Sequence, residues 1–131
     1  MKIIYPTESG IAIITPTGEL SIEEVAAKDV PAGVPFRIVN DDEVPNDRTF
    51  RNAWKDEGGI KVDMPKAVEI TKDRLRNERA PLLTSLDVQY QRAQEEGRDT
   101  TIIITEKQRL RDVTKLADKA TTPDELKALS A

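Results

Sequence analysis

The sequence predicts an α+β protein: a small β-β-α-β N-terminal subdomain, then a long helical hairpin and a short C-terminal helix. Three observations carry this. Two β-branched runs, KIIY (2 to 5) and IAIIT (11 to 15), flank Pro6 and a turn-like TESG. An apolar stripe, Met64, Val68, Thr71, Leu75, Leu82, Leu86, Tyr90 and Ala93, recurs mostly at three-to-four-residue steps, the period of one helix face. Finally, TPDE (122 to 125) places threonine, proline and glutamate where a helix start needs them.

The first two runs read as a β-hairpin. SIEE (21 to 24) then offers a serine N-cap with Glu24 three residues on, opening a helix that ends near Asp29, before Pro31. PFRIV (35 to 39) is the third strand, announced by Gly33 and Pro35. A sheet this small has one helix to cover it and needs a second apolar surface. RTFRNAW (48 to 54) is the nearest supply: with Asp47 as cap, a short helix would put Phe50 and Trp54 on one face, the structural seam of the fold. Gly58-Gly59 after two acids reads as a stop and a hinge, dividing a head (1 to 59) from a helical part (60 to 131).

Asp63 and Pro65 suit the start of a helix that would span roughly 45 to 50 Å if continuous to about residue 96, with a kink or brief interruption expected at Pro81. After the polar EEGRD (95 to 99), a second helix is expected over 100 to 117, with Ile103, Leu110, Val113 and Ala117 on its stripe. The Ile102-Ile103-Ile104 run, strong in β-propensity, pulls against its first turn. Short connections favour antiparallel neighbours, so 64 to 117 reads as an αα-hairpin. The first helix outruns the second, and its uncovered stripe, Leu75, Leu82, Leu83, Leu86 and Tyr90, is the candidate protein-interaction surface.

Composition narrows function. The 131 residues include no cysteine and no histidine, which removes thiolate and imidazole chemistry and the usual zinc sites. No catalytic, cofactor-binding or metal-ligating residue is assigned, and no enzyme is expected. The acids of NDDE (40 to 43) lack the alternating spacing of a calcium loop. No run approaches the roughly 20 apolar residues of a membrane span. A net charge of −4 disfavours nucleic acid as a partner. The alternative, a nucleic-acid-binding regulator, would use the basic face of residues 72 to 79, where Lys72, Arg74, Arg76 and Arg79 alternate with Glu69, Asp73 and Glu78 as in ordinary helix-face ion pairing.

The stretches RTFRNAW (48 to 54), MPKAVEITKDRLRNERAPLLTSLDVQYQRA (64 to 93), KQRLRDV (107 to 113) and TTPDELKAL (121 to 129) together resemble small proteins of tailed bacteriophages labelled tail-assembly-chaperone-like or tail-fibre-assembly. The resemblance covers most of the second half. It implies a non-enzymatic role in tail or fibre structure or assembly, with other tail or fibre proteins or the chain itself as partners. The implied location is the virion tail, or the host cytoplasm during assembly. IIIT (102 to 105) departs from it, standing where an alanine- and lysine-rich helical start would be preferred.

Overall fold

In the computed structural model, which describes residues 1–131, the chain is a mixed α/β protein of two compact units, Met1–Lys66 and Ala67–Ala131. Strands β1 (Lys2–Thr7) and β2 (Gly10–Ile14) form the expected hairpin, Thr7 opposite Gly10 and Ile3 opposite Ile14. Helix α1 spans Ile22–Asp29 and β3 Arg37–Val39, which pairs antiparallel with β1 to give the order β2-β1-β3. Ser21 caps α1: its Oγ accepts from the Glu24 amide at 3.2 Å and donates to the Glu24 carboxylate at 3.1 Å.

The central strand shows why this head needs cover on both sides. Successive residues of a strand point to opposite faces. Ile3 packs with Val25 and Ala26 of α1, whereas Ile4 packs with Ile11, Val39, Val44 and Trp54. The helix covers one face and the Trp54 segment the other.

That segment is built differently from the helix expected for it. Phe50 precedes a single 3-10 turn, Arg51–Ala53, and Trp54 opens a strand, so the two rings do not share a helix face, although both are buried. Asp47 makes a tight turn instead of a helix cap, its Oδ1 accepting from the Thr49 amide (3.0 Å) and hydroxyl (2.6 Å). Gly58-Gly59 is not a hinge but the tip of a hairpin, β4 (Trp54–Asp56) against β5 (Ile60–Val62). Gly58, at φ 72°, supplies the left-handed residue this turn requires. Strand pairing therefore carries the N-terminal unit past residue 59. A bidentate pair, Arg37 Nε and Nη2 to Asp56 Oδ2 and Oδ1 at 2.8 Å each, ties β3 to this hairpin.

Helix α2 runs Met64–Glu95, about 48 Å, with Pro81 inside it and no interruption. It ends at Gly97 (φ 67°), where the Arg98 amide reaches the Ala93 carbonyl (2.8 Å) and the Gly97 amide that of Gln94 (3.2 Å). Asp99 Oδ1 then accepts from the Thr101 amide (2.9 Å) and hydroxyl (2.7 Å), pinning the start of α3, Thr101–Asp112. That local turn, with a full helix behind it, overrides the β-propensity of the three isoleucines. The helix expected to reach residue 117 breaks after Asp112. Val113 and Leu116 make i to i−3 bonds, and α4 (Lys115–Lys119) follows. Helix α5, Pro123–Lys127, has the predicted Thr122 cap, Oγ1 accepting from the Glu125 amide at 3.2 Å.

Contacts down the hairpin are antiparallel. Lys107 pairs with Asp87 (2.7 Å), Arg79 donates to the carbonyls of Leu110 (3.3 Å) and Arg111 (2.9 Å), and Lys72 meets Asp118 (2.7 Å). The chain then doubles back: Arg74 donates to the Leu126 carbonyl (3.1 Å), and the Ala131 amide to Glu78 (3.3 Å). Thr71, Leu75, Leu110, Val113, Ala117 and Leu126 are buried in this proximal part.

Candidate functional site

Between Lys72 and Arg79, α2 bonds in turn to α4, to α5 and its C-terminal tail, and to the end of α3, but beyond about residue 80 only α3 bonds to it. Two helices cannot bury every apolar side chain on their facing flanks, and the surface there is correspondingly apolar. Leu82 is 43% exposed, Val88 47%, Ile104 50% and Ile102 84%; Leu83, Leu86 and Tyr90 are half-buried. Of the residues predicted for this surface, Leu75 is the correction: it is fully buried, because α4 and α5 close over the stripe at its level.

Sequence periodicity overlooked Val88, which lies off the stripe, and Ile102 and Ile104, whose β-propensity pulls against the first turn of α3 and which flank its stripe at Ile103. Their signal was an isoleucine cluster inside an otherwise polar helix. On one flank of the hairpin, Tyr90, Ile104, Lys107 and Arg111 line a cleft of about 220 Å³, with the Lys107 ammonium 5.0 Å from the centre of the Tyr90 ring. One isoleucine, one aromatic ring and two basic side chains, of which Lys107 already pairs with Asp87, suit a protein side chain carrying both apolar and acidic character.

The basic face of residues 72 to 79 is spent within the chain. Lys72 binds Asp118 and Glu69, Arg74 binds Glu78, Arg76 binds Asp73, and Arg79 is held by the two carbonyls of α3. The hydrogen bond that the Lys72 ammonium donates to Asp118 raises the Lys72 pKa above its ordinary value. Asp56, Glu78, Asp99, Glu106 and Asp112 are all held below the usual carboxylate range, by hydrogen bonds chiefly from Arg37, Arg74, Thr101, Arg109 and Gln108 respectively. None of these five carries a proton near neutrality. Asp41 pairs with the N-terminal ammonium at 3.1 Å, and Glu43 accepts from the Asn40 amide at 3.5 Å.

Trp54, half of the predicted seam, is accounted for inside the N-terminal unit, where Ile4, Ile11, Val39 and Val44 enclose it. That unit has two shallow clefts, about 280 Å³ beside Pro16, Leu20 and Lys28 and about 230 Å³ beside Pro35, Phe36 and Arg37. No helix is long and apolar enough to cross a membrane. Comparison with protein-family models, with characterised proteins and with solved structures found no match to this chain.

Proposed function

We propose that this chain is a non-enzymatic bacteriophage tail-associated protein, acting in tail or tail-fibre structure or assembly by laying the free end of its hairpin against another tail or fibre protein. The observation that carries this reading is Ile104, 50% exposed where it lines the cleft beside Tyr90 and Lys107. A surface of that kind, rimmed by charge, favours protein partners. The phage context rests on the resemblance of residues 48 to 54, 64 to 93, 107 to 113 and 121 to 129. The engaged cations of residues 72 to 79 weigh against the nucleic-acid alternative, because phosphate contacts would have to displace existing ion pairs.

The test is co-expression with the neighbouring tail and fibre proteins, together with mass spectrometry of purified particles. A stable complex lost in Ile104→Asp supports the reading. A stoichiometric band in particles places the protein in the virion, and a complex found only before assembly makes it a folding helper. Failure to bind any tail or fibre protein refutes it.

A further inference from the structure

One face of α2 is a palindrome. Arg74, Glu78, Leu82, Ser85, Val88, Arg92 and Glu96 follow at steps of four, four, three, three, four and four, so they form a single stripe centred on Ser85. The Glu96 amide still bonds the Arg92 carbonyl at 3.0 Å, so the helical geometry extends to the last member. The chemistry inverts about the same point: base, acid and aliphatic before Ser85, aliphatic, base and acid after it.

From these residues we infer that the hairpin pairs with a second copy of itself, α2 against α2 in antiparallel register, with the two-fold axis through Ser85. In that register Leu82 of each copy meets Val88 of the other and Glu78 meets Arg92, while Arg74 and Glu96, level with each other at the outer ends, keep their partners within the chain, Glu78 and the Leu126 carbonyl for the one and Arg98 for the other. The closed symmetry of a dimer makes every contact occur twice.

Four observations favour a copy of this chain as the occupant. Charges of opposite sign meet at each Glu78–Arg92 contact. Leu82 and Val88, the aliphatic pair of the stripe, are both more than 40% exposed, more than any other large apolar side chain of α2. The Arg92 guanidinium is exposed and forms no ion pair or hydrogen bond within the chain, so it can join Arg74 at the Glu78 carboxylate of the other copy. Residues 67 to 131 contain 12 Lys and Arg against 12 Asp and Glu, a net charge of zero, so the units meet without net repulsion. The small side chain at the centre lets the helix axes approach closely, at the shallow crossing of about 20° that keeps long helices in contact.

The stripe is about 33 Å long and one helix wide, which puts the contact near the lower limit for specific interfaces and the affinity in the micromolar range. This pairing does not depend on the phage reading.

Absence of native cysteine makes the test clean. Ser85→Cys is expected to cross-link to itself under mild oxidation, whereas Gln91→Cys, about a third of a turn round and about 18 Å from its symmetry mate, is not. Sedimentation from 1 to 300 µM should show a reversible dimer, weakened about tenfold or more by Arg92→Glu. Glu78→Arg alone should weaken it likewise, yet an equimolar mixture of the two variants should recover the dimer, because opposite charges then meet at both 78–92 contacts. Circular dichroism confirms that each variant is folded. A wild-type chain that stays monomeric at 300 µM, or equal cross-linking at both cysteine positions, overturns the inference, including where the face proves to bind a different protein.

Discussion

Replacing Trp54 by alanine is the sharpest probe of the N-terminal unit. The indole is 2% exposed and supplies the surface opposite α1 for Ile4, Ile11, Val39 and Val44. A buried tryptophan withdraws about 200 Å² from water, worth about 5 kcal/mol as an upper bound from area. Truncations of this size measured in cores cost about 3 to 5 kcal/mol once partial collapse of the cavity is included. A unit of this length is stable by roughly 3 to 10 kcal/mol, so the loss consumes much or all of it. Fluorescence cannot follow the variant, because Trp54 is the sole tryptophan. Amide hydrogen exchange at Ile3, Ile4 and Val39 can, and it reads the affected sheet directly. Protection there should fall by about two to four decades, with Trp54→Phe between it and wild type. A fall of less than one decade would show that the ring does not hold the sheet together and would refute its assignment to the core.

Three other substitutions test separate features. Gly10 sits at φ 136°, where an added Cβ would meet the carbonyl oxygens of Arg51 and Trp54 at 3.3 and 3.4 Å; Gly10→Ala should cost about 1 to 3 kcal/mol in urea denaturation, and a neutral result would remove the close approach. Pro81 is exposed inside α2 and cannot donate to the Asn77 carbonyl, so Pro81→Ala should stabilise the chain by about 1 to 3 kcal/mol, read from the thermal midpoint; a loss of stability would mean the proline shapes the helix for its packing. The Asp56 pKa is depressed by its hydrogen bonds from Arg37, so its contribution is present above the unfolded value near 3.8 and disappears as pH falls through the lower folded value. Asp56→Asn should therefore be less stable than wild type at pH 7, and the gap should close as pH falls below 3.8 through the lower folded value; an unchanged gap across that range would rule the pairing out as the cause.

Local chemistry reached far in this chain. The Ser21 and Thr122 caps, the 3.6-residue stripe of α2 and the glycine stop at 97 depend on neighbours within about five positions, the β1–β2 hairpin on a tight turn between adjacent runs, and all are legible. The Phe50 and Trp54 pair was recognised as core material, yet its four-residue spacing mimicked a helix where the chain instead makes a 3-10 turn and a strand. What decided that was β5, whose pairing with β4 across Gly58-Gly59 satisfies the Trp54–Asp56 backbone.

The same division runs through the candidate surface. Periodicity put Leu75, Leu82, Leu83, Leu86 and Tyr90 along one stripe of α2, which is a property of the sequence alone. Which of them meets solvent depends on where α4 and α5 double back, and they reach Leu75 but stop short of Leu82. Spacing along a chain determines which side chains share a face, because helix and strand geometry repeat locally; whether that face is covered depends on segments 30 to 50 residues away, whose arrival only the tertiary structure decides.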